Sequence, residues 1–148
     1  MISIFGIVSV VVALVSIAII VLHNRVMIKR APVDSYIVAL EDLIRGRLES
    51  LYESSPHGSE LQALCIQYMD LDLNSMVKAL PEIDRAYEGD MYIDEHAINQ
   101  AINETAQDLN QAIQEYNRFI TGSLPVSLMA QVLALTTEDA IDLIRNQN

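Results

Sequence analysis

Apolar residues recur every three or four positions through most of the chain, and this spacing predicts helices that each bury one face. The first of these helices covers about residues 33–53. Its apolar face consists of Val33, Tyr36, Ile37, Leu40, Leu43, Ile44, Leu48 and Leu51. The stretch SSPHG at residues 54–58 is typical of a turn, and Ser59 is suited to cap the helix that follows.

A second helix is predicted over roughly residues 60–80, although its middle, YMDLDLN, is less regular. Its apolar positions are Leu61, Leu64, Cys65, Tyr68, Met76, Val77 and Leu80. Pro81 is expected to stop or bend this helix, because proline lacks the backbone N–H of a helix interior. Residues 81–94 then form a connection that turns at Gly89, and Asp94 can cap the next helix.

The third helix, about residues 95–121, has the clearest pattern. Six apolar side chains lie within roughly 40° of one line along it, at about 100° per residue. They are Ile102, Ala106, Leu109, Ile113, Tyr116 and Ile120. Asn99, Asn103, Asn110 and Asn117 follow one flank of this stripe, so we expect them to border the core. Two interpretations stay open: the amides bond to an adjacent helix and fix its register, or they are solvated boundary residues.

The end of the chain predicts two further short elements. SLPVSLMAQVLAL is apolar, and it can pack on the other helices, lie on a membrane or receive a partner helix. A last helix, capped by Thr136 or Thr137, runs to about Ile144. Because the sequence contains no strand pattern and no internal repeat, the predicted fold class is all-α, an antiparallel helical bundle with short connections.

A different pattern precedes these helices, because residues 1–22 contain no charged side chain. As a helix this run is roughly 33 Å long, enough to cross a hydrocarbon core of about 30 Å. A cleaved signal peptide fits less well, since no Lys or Arg precedes the run and the run is too long. A buried core helix of this kind would need more surrounding protein than a 148-residue chain offers. We therefore predict a transmembrane anchor at residues 1–22, a basic neck at 23–32 and a helical bundle at 33–148, and Pro32 leaves open whether the membrane helix continues.

Charge predicts the orientation of the chain. Arg25, Lys29 and Arg30 directly follow the anchor, so the positive-inside rule places the amino terminus outside and the bundle in the cytoplasm, at the cell (inner or plasma) membrane. These three bases are predicted to lie at the membrane surface against anionic lipid. From residue 48 onward there are four bases against seventeen acids, which disfavours nucleic-acid binding. The single cysteine, Cys65, agrees with a reducing compartment.

Few residues have the spacing that catalysis or metal binding requires. Glu88, Asp90, Asp94, Glu95 and His96 form the best metal candidate, but no second histidine stands at ligand spacing. A solvated acidic loop with carboxylates at a helix start explains this group more simply. Cys65 lies on an apolar face, where a buried and inert thiol is usual. We therefore predict no catalytic residue, no metal, no cofactor and no small-molecule substrate.

Short motifs along the chain form a family pattern. The uncharged anchor is followed at once by HNRV and VDSYIVALEDLIRGRLESL, and far downstream LNQAIQEYNRFI precedes a proline. This arrangement resembles the LemA family of bacterial membrane proteins over nearly the whole chain. The positions that correspond to the family's motifs are Asn24, Arg25, Val33, Asp34, Leu109, Asn110, Tyr116, Asn117, Leu124 and Pro125. The segment ALPEID at residues 79–84 also resembles the family's approach to its late helices.

The chain departs from the family pattern at His23 and Leu109, where tyrosine is usual, and at Leu124, where phenylalanine is usual. The hairpin around residues 54–58 is also shorter than is common in the family. The resemblance implies a membrane-anchored helical bundle with no established catalytic residues. We therefore predict a non-enzymatic scaffold or adaptor that presents an interaction surface near the membrane to a protein partner or to a second copy. Two alternatives stay open: a metal-dependent membrane-associated enzyme built on residues 88–96, and a lipid-contacting protein that organises the membrane.

Overall fold

A computed structural model describes residues 4–87, 93–122, 124–132 and 138. These residues form five helices and no strand, so the all-α prediction is confirmed for them. The helices are α1 (Ile4–Ser54), α2 (Glu60–Met69), α3 (Leu73–Ala86), α4 (Ile93–Thr121) and α5 (Leu124–Val132). The predicted turn at Gly89 and the predicted helix from Thr136 or Thr137 to Ile144 lie outside the described residues.

The first helix, α1, continues through Pro32, so the predicted helix start near Val33 is wrong. A proline inside a helix removes one backbone hydrogen bond and costs about 3 kcal/mol. Packing opposes this cost, because Val26 and Val33, on either side of the proline, are both fully buried. Anchor, neck and first body helix are therefore one uninterrupted helix.

The prediction of a single helix over residues 60–80 is also wrong, because two helices, α2 and α3, cover this region. Asp70 ends α2 and Asp72 begins α3, where the Met76 N–H donates to the Asp72 carbonyl at 3.0 Å. Aspartate competes with the helix for backbone hydrogen bonds and so favours such boundaries. Pro81 lies inside α3 and does not stop it, since α3 reaches Ala86.

The described residues belong to two compact units. The first unit contains residues 4–33, 112–122, 124–132 and 138, and the second contains residues 34–87 and 93–111. The buried apolar side chains of the first unit are Val26, Val33, Ile113, Tyr116, Ile120, Val126 and Ala130. Those of the second unit are Leu40, Ile44, Leu48, Leu51, Leu61, Leu64, Cys65, Met76, Val77, Ala79, Leu80, Ile83, Ile102, Ala106 and Leu109. All six residues of the predicted stripe on α4 are thus buried.

The asparagine flank of α4 differs from the prediction at one position. Asn103, Asn110 and Asn117 are half-buried, as expected for residues that border a core, but Asn99 is buried. Asn99 lies one helical turn after Glu95, on a side of α4 where polar side chains are buried in the second unit. At the other end of the chain, Val126 and Ala130 show that α5 packs on protein, although Leu128 stays exposed.

A reciprocal cap joins the turn after α1 to α2. The Gln62 backbone N–H donates to Ser59 Oγ at 3.2 Å, and the Gly58 N–H donates to Gln62 Oε1 at 2.9 Å. Gly58 has a φ of 78°, which glycine adopts without the strain of a side chain. The predicted cap at Ser59 is confirmed.

We expect Ser59→Ala to lower the free energy of unfolding by about 1 kcal/mol, because one backbone N–H of α2 loses its acceptor. Chemical denaturation of the detergent-solubilised chain, followed by circular dichroism, measures this loss. Ser54→Ala is the matched control, since the Ser54 hydroxyl donates only to carbonyls of its own helix. Equal losses in the two variants would contradict the role of the cap.

Candidate functional site

The amino-terminal part of α1 exposes an unbroken apolar surface. Thirteen large apolar side chains between Ile4 and Val21 are exposed, and Phe5 reaches 84% exposure. Among the described residues, α1 is the one helix long and apolar enough to cross a membrane. Exposed apolar patches of this extent mark interaction with a membrane or with another protein.

The few polar side chains of this segment are satisfied within the helix. Ser9 Oγ donates to the Phe5 carbonyl at 2.8 Å, and Ser16 Oγ donates to the Val12 carbonyl at 2.9 Å. A hydroxyl bonded to its own helix needs no water, which suits a hydrocarbon environment. The first fully buried side chain along α1 is Val26, four residues after the uncharged run ends.

The basic neck is neutralised in part by the protein itself. Lys29 Nζ lies 3.7 Å from Glu115 Oε2 on α4, and Arg30 Nη2 lies 3.1 Å from Glu138 Oε1. Both pairs are partly exposed, and such pairs contribute at most about 1 kcal/mol. Arg25 is exposed and has no ion pair within the described part of the chain. Of the three bases predicted to lie at the membrane surface, Arg25 is thus unpaired among the described residues. Lys29 and Arg30 can each release their carboxylate partner and bind a lipid headgroup instead.

Asn117 holds the backbone of residue 138. Its Nδ2 donates to the Glu138 carbonyl at 2.8 Å, and the Glu138 N–H donates to Asn117 Oδ1 at 3.0 Å. The side-chain amide therefore uses both its donor and its acceptor on one peptide unit. Together with Arg30, it ties a position 21 residues further along the chain to the first unit. Asn117 is thus a bonded residue, but its partner at position 138 does not belong to a helix, so this bond does not fix the register of an adjacent helix.

The other family-motif residues occupy varied environments. Val33 and Tyr116 are fully buried, and the Tyr116 hydroxyl is buried as well, with no hydrogen-bond partner among the described residues. Asn24, Arg25 and Asp34 are exposed, and Asn110 is half-buried. Pro125 lies in the first turn of α5, where its missing N–H removes no helical bond.

The second unit contains a charged group that sequence reasoning missed. Arg47 is 2% exposed, and its Nη2 lies 2.6 Å from Asp84 Oδ1 on α3 and 3.5 Å from Glu95 Oε2 on α4. Arg47 is three residues after Ile44 and four before Leu51, so it shares the apolar face of α1. Its position on this apolar face is the sequence feature that could have indicated a buried Arg47.

The polar groups around Arg47 are incompletely paired. Within the described residues, Arg47 Nε and Nη1, Glu95 Oε2 and both amide atoms of Asn99 are buried without a hydrogen-bond partner. Each unsatisfied buried group costs about 1–3 kcal/mol. The cluster therefore costs stability, and it restricts how α1, α3 and α4 can pack in this unit.

The pKa values of two side chains in the second unit, Cys65 and Tyr68, are shifted. Burial raises the pKa of the Cys65 thiol, and the positive charge of Arg47 offsets part of that rise. The expectation of a buried Cys65 is confirmed. Desolvation, and then the charge of Glu82 and its hydrogen bond from Tyr68 Oη at 3.2 Å, raise the pKa of Tyr68. Both shifts keep the neutral form of the group.

The predicted metal candidate is described only in part. Glu88, Asp90 and the side chain of Asp94 lie outside the described residues. Glu95 is paired with Arg47, and His96 is exposed. Among the residues that the structure describes, no group of three or more His, Cys, Asp or Glu is arranged to hold a metal ion.

Comparison with known proteins adds no relative. No protein-family model, no curated protein and no solved structure matches the chain. The LemA resemblance therefore stays a prediction drawn from the motifs.

We expect Arg47→Met to lower the free energy of unfolding by about 3 kcal/mol, because Asp84 and Glu95 lose their buried counter-charge. Equilibrium denaturation in detergent measures this change. Arg45→Met is the control, since Arg45 pairs with Glu41 at 2.7 Å on the exposed surface of α1 and should cost under about 1 kcal/mol. An Arg47→Met chain as stable as the control would show that the buried pairs are not required.

We expect Asn117→Ala to expose the Glu138 amide to solvent, because that N–H loses its acceptor. Hydrogen exchange at residue 138, followed by NMR or by mass spectrometry of the peptide that contains it, should become faster. Asn103→Ala removes a half-buried asparagine from the same flank of α4 and should leave this exchange unchanged. Unchanged exchange in Asn117→Ala would refute the proposed tether.

Proposed function

We propose that the chain is a membrane-anchored, non-enzymatic helical scaffold or adaptor of LemA type. The exposed apolar part of α1 crosses the bilayer, and the helices that follow present an interaction surface near the membrane. The ligand of this surface is another protein or a second copy of the chain. The observation that carries the proposal is the continuity of α1, which supplies both an exposed apolar segment and core residues of the two packed units.

The proposed orientation has the amino terminus outside and the helical body in the cytoplasm, at the cell membrane. Its support is the placement of Arg25, Lys29 and Arg30 directly after the apolar segment. The positive-inside rule counts bases and is not a rule of net charge, so the pairing of Lys29 and Arg30 with carboxylates does not weaken it. The acidic body agrees with this arrangement, since anionic headgroups repel it from the bilayer.

The proposed architecture is an antiparallel bundle. In each unit a base of α1 pairs with an acid of α4, Lys29 with Glu115 and Arg47 with Glu95. The proposed LemA type rests on the sequence motifs alone, among them Val33, Tyr116 and Asn117.

A second candidate function is lipid contact that organises the membrane. The observation in its favour is α5, which exposes Leu128 at 58% while Val126 and Ala130 on its other side are buried. The segment around α5 carries no charge from Gly122 to Thr137. The exposed Leu128 side chain could enter the apolar boundary of a bilayer.

Copurification separates the two functions. The full-length chain is purified in mild detergent from its own membranes, beside a chain without residues 1–22 and a chain in which an unrelated spanning segment replaces them. The scaffold predicts a near-stoichiometric protein that accompanies the full-length and exchanged chains and is lost with the deletion.

Absence of any copurifying protein would contradict a stable protein partner. Binding to anionic vesicles that weakens as salt is added would then favour lipid contact through Arg25, Lys29 and Arg30, whereas binding that is insensitive to salt would favour lipid contact through the uncharged α5 segment. A partner that remains after the deletion would contradict the role of the anchor in presenting the surface.

A further inference from the structure

The second unit has an open depression with a volume of about 210 Å³ between the end of α1 and the end of α2. Its size is below the 300–1,000 Å³ typical of small-molecule sites, and it suits a single side chain better than a cofactor. The lining consists of Glu49, Tyr52, Glu53, Ile66, Met69 and Asp70.

The apolar part of the depression is poorly covered by the chain itself. Ile66 is 58% exposed, whereas its neighbours Leu64 and Cys65 on α2 are buried, so Ile66 points away from the core of the unit. Tyr52 and Met69 are half-buried beside it. An isoleucine that is left in water forgoes most of the stabilisation that its burial would contribute. A partner that covers Ile66 recovers this contribution.

The rim selects the charge of the partner. Glu49, Glu53 and Asp70 are exposed, and within the described part of the chain none of their carboxylates has an ion pair or a hydrogen bond. Nearby Arg45 and Arg47 are already paired with Glu41, Asp84 and Glu95. Three unpaired carboxylates around an apolar floor complement a lysine or arginine with aliphatic neighbours, and the Tyr52 ring can add a cation–π contact.

Other occupants fit this surface less well. An anionic bilayer is repelled by the acidic rim. A second copy would have to supply a basic segment, but its body carries four bases against seventeen acids from residue 48 onward. In its neck, Lys29 and Arg30 are paired with Glu115 and Glu138, which leaves Arg25 alone among the three neck bases without an ion pair to a described residue.

We infer that this depression binds a basic amphipathic helix of a partner protein, with a lysine or arginine among Glu49, Glu53 and Asp70 and an aliphatic side chain on Ile66. The inference rests on the proposed scaffold function and names the chemistry of its partner. Recognition by helix in groove commonly combines such an apolar anchor with flanking charge.

The test uses the full-length chain in nanodiscs of zwitterionic lipid, titrated with a synthetic helical peptide that carries a leucine stripe flanked by lysines. Empty nanodiscs correct for binding to lipid, and a peptide of the same composition without the stripe is the reference. Glu49→Gln/Glu53→Gln and Ile66→Ser alter the depression. Glu104→Gln/Asp108→Asn is the matched control, since it removes two exposed acids from α4 of the same unit.

We expect each variant of the depression to weaken peptide binding about tenfold and the control less than threefold. Equal weakening by the control would overturn the inference in favour of diffuse charge attraction. Equal binding of the two peptides, or no binding, would overturn it too, as would a dimer that Ile66→Ser dissociates. If a copurifying partner is found but these variants leave the peptide bound, the scaffold stands and this surface is wrong. If the peptide binds as expected but no partner copurifies, the scaffold proposal fails while the inferred binding surface stands.

Discussion

The exposed apolar segment of α1 is the feature on which the other arrangements depend. At about 25 cal/mol per Å² of apolar surface, thirteen large side chains left in water impose a cost that a small protein cannot bear. A bilayer removes that cost, and the helix itself satisfies the backbone and the Ser9 and Ser16 hydroxyls. Since α1 runs on without a break, the helix whose apolar segment is proposed to cross the bilayer also provides Leu40, Ile44 and Leu48 to a protein core.

Polar contacts between distant segments give these apolar cores their specificity. Apolar packing alone tolerates several arrangements of helices, whereas Arg47 must meet Asp84 and Glu95, and Asn117 must meet the backbone of residue 138. The cost differs between the two groups. Arg47 leaves buried polar atoms unsatisfied among the described residues, while Asn117 uses both ends of its amide on one peptide unit. We propose that Arg47 is kept because its pairs restrict how α1, α3 and α4 pack, and that Asn117 is kept because it fixes the backbone of residue 138.

Helical periodicity predicted the helices, buried faces and caps that depend on local sequence pattern. It failed where contacts between distant residues determine the structure. It predicted α4, its six buried stripe residues and the cap at Ser59. It did not predict the continuity of α1 through Pro32, because packing of Val26 and Val33 outweighs a local penalty. The boundary between α2 and α3 depends on two aspartates that a broad apolar pattern concealed. Arg47 was missed because a charged residue in a core register is stable only with partners that sequence spacing does not reveal.

The orientation of the chain in the membrane is tested most directly by labelling a single cysteine in the turn after α1. The variant combines Cys65→Ala with His57→Cys, because Cys65 is buried and His57 is exposed. A membrane-impermeant maleimide is added to intact cells and to permeabilised cells that produce this full-length variant. We predict labelling only after permeabilisation, since the proposed orientation puts residue 57 in the cytoplasm. Labelling of intact cells would place the body outside and would contradict the proposed membrane orientation.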